Sequence, residues 1–262
     1  MGESLYYTIY TLKDYRKVGI LTAIFYLLSL TFFIPNLSVM TLLIGLLLLF
    51  SASSFFVYLS NRTTGLENYI YNLKNQSLWA TFLHCLPSAV ALLFSVVVVG
   101  GVALLLYLYI QDLQLMNNWP RSLLYFITHR PRLFTFFTTL LLLYTFIISY
   151  NFPGKLGAML QTRPLPRKVA TLFSTFVDLR FFINALHLSY FAVYFRWVFV
   201  SFTLFYFVGE VFFAVLDKLG VIGAVLTLLL TDFIFIFTII YTFFSANEAY
   251  YIYKRENCGE NY

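Results

Sequence analysis

The sequence predicts an all-α, polytopic integral membrane bundle of about six transmembrane helices, with amphipathic helices at the interface. Three observations carry that expectation. Of 262 residues, 61% are hydrophobic and only 11% charged, where soluble domains carry roughly 25% charged residues. A water-soluble fold of this length has no polar cover for so much apolar surface. Six apolar runs approach or exceed the length of about 20 residues that crosses roughly 30 Å of hydrocarbon. The connections between them are mostly short and collect the basic residues, as polytopic chains do.

The first run, 18–34, is short and reaches the second, 37–60, through Pro35 and Asn36 alone, so a tight helical hairpin is expected. The third, 78–110, is longer than a bilayer needs. Tilt, projection past the surface or a kink at Pro87 would absorb the excess. Spans four to six are read at 133–152, 187–216 and 221–244, followed by a polar C-terminal tail over 245–262. No cleavable signal peptide is expected, because Phe32, Phe33 and Ile34 ahead of Pro35 leave no small-residue cleavage site.

Charge sets the expected orientation. With the N-terminus in the cytoplasm, inner segments hold eleven Lys and Arg, and outer segments hold four, Arg121, Arg130, Arg132 and Lys218. Both termini are therefore expected to be cytoplasmic. The net charge of +6 is assigned to topology, and no nucleic-acid partner is expected. The sequon Asn61-Arg62-Thr63 falls on the inner side and is read as chance.

Three stretches are expected to lie on the membrane. In 169–180, Val169, Leu172, Phe173, Phe176 and Val177 follow the i, i+3, i+4, i+7, i+8 pattern, and Arg167 and Lys168 at its start meet lipid headgroups. In 5–17, Leu5, Ile9 and Leu12 share one side, with Lys13, Arg16 and Lys17 available to anionic lipid. The third, 121–130, is the least regular. All three also fit ordinary lead-in turns with snorkelling bases. Pro164 and Pro166 make 163–167 a stiff connector.

Ionisable groups inside spans are costly and mark candidate sites. Asp232, near the middle of the sixth run, is either a hydrogen-bonded structural acid or a group handling ions, protons or substrate. Arg196 lies about 12 Å along the axis from the level of Asp232, so snorkelling to phosphates at the inner interface is the preferred reading. Arg180, Asn184 and His187 share one helical face, with Tyr194 beyond, as a cavity lining or as hydrogen-bonding helix glue. Glu210 and Asp217 form an acidic mouth or a solvated helix end. Gly220 with Ala224, the pair Gly100 and Gly101, and Ser51 to Ser54 offer close helix packing.

His84 and Cys85, adjacent on a helix, point apart and make no metal pair, and Cys258 has no partner framework. No protease, hydrolase, P-loop or dinucleotide signature occurs. The expected function is a non-catalytic membrane subunit or accessory bundle, without cofactor, packing against lipids, other membrane proteins or itself. The alternative is a small transporter or channel using Asp232 and the Arg180, Asn184 and His187 stripe.

Overall fold

A computed structural model of the chain describes residues 3–13, 15–30, 38–77, 79, 83, 85–112 and 128–258. Every regular element among them is helical. In order these are α1 (Glu3–Leu12), α2 (Tyr15–Leu30), α3 (Ser38–Arg62), α4 (Leu66–Asn75), α5 (Leu86–Asp112) and α6 (Pro131–Gln161). There follow α7 (Leu165–Phe173), a 3₁₀ turn (Ser174–Phe176), α8 (Leu179–Asn184) and α9 (Leu188–Phe202). A π-helical stretch (Thr203–Val208), α10 (Gly209–Leu216), a second 3₁₀ turn (Asp217–Leu219) and α11 (Gly220–Cys258) complete the chain.

Among the described residues, five helices are long and apolar enough to cross a membrane: α3, α5, α6, α9 with the turn beyond it, and α11. The chain is thus a multi-pass membrane bundle. Helix α2 is apolar but has 16 residues, and the Pro35 hairpin turn lies outside the described residues.

The core is built around α3. Leu49, Ala52, Phe56 and Val57 are buried against Tyr69 and Leu73 of α4, Ala89 of α5, Met159 of α6 and Ile236, Ile240 and Phe243 of α11. Small residues of α3, Ser51, Ala52 and Ser53, are buried there, as expected where helix backbones approach. A second cluster joins Tyr150 of α6, Phe181 of α8, Tyr190 and Val193 of α9 and Ala249 of α11. Between them α6 and α11 approach closely at Gly157, where a Cβ would stand 2.2 Å from the Ala246 carbonyl oxygen.

Several expected boundaries move. Helix α5 begins at Leu86, so Pro87 sits in its first turn and does not kink a longer span; the N–H it lacks has no helical partner there in any case. The expected tail from residue 245 is helical to Cys258, because Ser245, Ala246 and Ala249 pack inward. The fifth run is three helical pieces, with His187 before the first of them. The expected surface stretch 121–130 falls mostly outside the described residues.

Candidate functional site

One end of the bundle is polar, and its contacts tie five elements to one level. The backbone N–H of Ser4 in α1 donates to Glu248 Oε2 of α11 at 3.2 Å. Arg196 Nη2 of α9 donates to Glu248 Oε1 at 2.7 Å. The amides of Asn61 in α3 and Asn247 in α11 exchange hydrogen bonds of 3.1 and 2.8 Å. Gln161 at the end of α6 donates to Asn247 Oδ1 at 3.2 Å.

Arg196 is therefore held by a protein carboxylate, and neither expected partner, Asp232 or a lipid phosphate, is needed. Glu248 escaped notice because it lay in the expected tail. The two helices run antiparallel much as the sequence implies: Trp197 Nε1 also donates to Thr242 at 3.0 Å. Asp232 stands four and a half turns further along α11, about 24 Å from the level of Glu248. It is 7% exposed and so faces the bundle, not its outer surface.

The stretch expected as one amphipathic helix, 169–180, is broken and pinned by a polar face of α6. Lys155 pairs with Asp178, and Asn151 Nδ2 donates to the Asp178 carbonyl at 3.2 Å. Tyr150 Oη donates to the Ala185 carbonyl at 2.8 Å. Asp178 in turn caps α8, accepting from Phe181 N at 2.9 Å. Burial alone would raise the Asp178 pKa, but the hydrogen bonds from Lys155 and the Phe181 N–H outweigh it and hold the carboxyl below its ordinary value.

The break also dissolves the expected polar stripe. Arg180 and Asn184 are exposed on α8, while His187 is extended backbone at the cap of α9. The Asn184 carbonyl accepts from Asn257 Nδ2 at 3.1 Å, and Tyr194 meets Ser149 across α6. Leu172, expected in lipid, is buried, whereas Val177, Leu179, Ile183 and Leu188 are exposed. The outward apolar face thus lies later in the chain than periodicity implied.

Helix α1 follows its expected polarity from the other side: its hydroxyl face, Ser4, Thr8 and Thr11, is buried, and Thr11 Oγ1 lies 2.6 Å from Tyr69 Oη. That leaves Tyr6 and Ile9 outward. Lys13, with its ammonium 4.6 Å from the Tyr10 ring, Arg16 and Arg167 are exposed, as an interfacial role requires; the Lys17 side chain lies outside the described residues. Lys168 does not fit that role. It is 5% exposed and donates to Ser88 Oγ at 2.9 Å and to the Met159 carbonyl at 3.0 Å.

Lys168 forms the floor of a cleft of about 550 Å³ between α3, α5, α6, α7 and α11. Arg62 and Arg163 stand on its rim, and no carboxylate is among the described residues that line it. A neighbouring cleft of about 540 Å³ surrounds Glu3, Glu248 and Arg255. The Asn61 amide borders both clefts, so the Asn61–Asn247 pair forms part of the wall between a cationic and a mixed site. Among the described residues no group of three or more His, Cys, Asp or Glu could hold a metal ion. Compared with protein-family profiles, curated proteins and solved structures, the chain matches none.

Proposed function

We propose that the chain is a non-catalytic accessory bundle that packs against lipids and other membrane proteins, with both termini cytoplasmic. One observation carries the reading. Leu140, Leu141, Leu142 and Leu143 of α6 are 52, 64, 65 and 56% exposed. Consecutive helical residues are about 100° apart, so four of them cover nearly the whole circumference. Among the described residues, every face of this turn is more than half exposed. The ion pairs Arg196–Glu248 and Lys155–Asp178 fit the same reading, since each ties separate elements of the bundle together.

A photo-crosslinker at Leu141, expressed in native membranes, tests the proposal. Adducts with a membrane protein of discrete mass are expected alongside lipid adducts. Lipid adducts alone, from a protein that purifies singly and conducts a solute in proteoliposomes, would overturn it.

A second reading, a small transporter or channel, is favoured by the burial of Asp232, though the separation of His187 from Arg180 and Asn184 weakens it. Asp232→Asn separates the two. The amide mimics a protonated acid, so an accessory bundle stays folded and keeps its partner; a proton or cation carrier stays folded and loses flux or its pH dependence.

A further inference from the structure

We infer that the cleft floored by Lys168 binds a phosphate group, either the headgroup of an anionic phospholipid or a free phosphate ester. Three cations converge there, and none is ion-paired among the described residues. Arg62 is exposed with its guanidinium 4.5 Å from the Tyr58 ring, a stacking that holds the fork in place and leaves its N–H groups free at the edge. Arg163 is exposed on the opposite rim, one residue after Thr162 closes α6.

The floor presents donors suited to an anion. Lys168 has three N–H groups and donates two, to Ser88 and to a carbonyl in the last turn of α6. The helix end that supplies this carbonyl favours a cation, but two neutral acceptors do not neutralise a buried ammonium. Cys85 cannot: burial pushes its thiol up to about 11, and Lys168 offsets that only in part. Burial correspondingly lowers the Lys168 pKa, with Cys85 acting the other way. A bound phosphate would supply the missing charge.

Two further observations point into the same space. Ser54, 3% exposed, is one of the residues lining the cleft, and its hydroxyl, itself buried, has no hydrogen-bond partner among the described residues, where most buried polar atoms have one. The first turn of α5 also opens on the cleft through Pro87 and Ser88, so the positive end of a 27-residue helix adds to the field. The cleft sits at the limits of three membrane spans, which end at Arg62 and Gln161 and begin at Leu86. That is headgroup depth.

The inference is independent of the accessory-bundle reading, which concerns the outer wall of α6; either can fail alone. The full chain in detergent is titrated with phosphatidylglycerol or phosphatidylcholine under native mass spectrometry, and separately with inorganic phosphate or chloride at equal ionic strength in thermal melts. One phosphatidylglycerol is expected to be retained in preference to phosphatidylcholine. Arg62→Gln with Arg163→Gln should weaken it about 25-fold, at about fivefold per cation. Both side chains are exposed, so this variant should fold. Ser54→Ala, which removes a hydroxyl without a protein partner, should fold and weaken binding by about fivefold.

Stabilisation by inorganic phosphate, lost in the same variants, would assign a free phosphate ester as the occupant; retention of phosphatidylglycerol alone would assign the lipid. If folded Arg62→Gln/Arg163→Gln and Ser54→Ala proteins bind both probes as the parent does, or the parent binds neither, the cleft is not a phosphate site.

Discussion

Replacing Gly157 with alanine tests the close approach that brings the polar end together. The added Cβ would stand 2.2 Å from the Ala246 carbonyl oxygen and 2.6 Å from the Tyr250 Cβ. Neither atom can rotate away, because both belong to or adjoin the α11 backbone. Helices α6 and α11 must then part by roughly 1 Å, and overpacking of this kind costs about 1–3 kcal/mol. Gly100 in α5 is the internal control, since a Cβ there meets nothing within 4 Å. Both changes gain about 1 kcal/mol of helix propensity, so the difference between them isolates the clash. For a chain of this size about 2 kcal/mol corresponds to roughly 4–8 °C in midpoint. Trp197 reports on the junction: its ring lies 6.0 Å from Phe152 of α6, and its N–H donates to Thr242 of α11. Thermal melts followed by its fluorescence should place Gly157→Ala below Gly100→Ala by that interval. Equal midpoints would mean that the two helices do not approach as described.

Glu248→Gln should destabilise by about 1–3 kcal/mol, less than for a fully buried pair, because the Arg196 and Glu248 side chains keep 27% and 19% exposure. Arg196→Met with Glu248→Met should recover most of the loss, and a double variant no better than the single one would show that the pair does not act as a unit. Asp178 has a depressed pKa in the folded chain, so its stabilising share is present above the unfolded value near 3.8 and is lost as pH falls through the lower folded value. Hydrogen exchange over residues 174–187 should rise below about pH 4; Asp178→Asn should exchange faster at neutral pH and show little of that acid step. An unchanged acid step in the variant would assign it to another group.

The membrane class was legible because it rests on bulk composition and on runs of apolar residues, which no tertiary contact overrides. The polar connections were harder. Periodicity in 169–180 described a real amphipathic pattern, yet the face it selected is not the one turned outward. Side chains at Lys155, Asn151 and Tyr150, 20 to 40 residues earlier, bind the later segment's carboxylate and carbonyls, and local spacing does not register partners that far off. The buried polar side of α6 was the available signal: an Asn at the end of an apolar run, with a Lys four residues beyond it, needs a partner. Glu248 carried the same signal but lay in a segment assigned to solvent. The burial of Asp232 accords with the cost of an ionisable group inside a span, which leaves an aspartate few other places.

One hydrogen bond and the count of long helices bear together on the short helix α2. Ser4 at the start of α1 contacts Glu248 near the end of α11, so both ends of the chain lie on one side. Among the described residues five helices meet the length requirement, and an odd number of crossings would put the two ends on opposite sides. An even count requires another crossing, and α2 is the candidate. Its 16 residues span about 24 Å, some 6 Å short of the hydrocarbon thickness. It runs beside α11, with Val18 and Leu21 buried and the Phe25 ring 5.7 Å from that of Phe235. Phe235 belongs to the long apolar helix that meets the length requirement. Local thinning or snorkelling flanks cover a mismatch of this size at modest cost, and Arg16 stands exposed at the polar end to supply the flank. A crossing by α2 is the expectation that accords with the pairing of the two ends, and this pairing, made by residues 244 positions apart, lies outside anything a hydropathy profile measures.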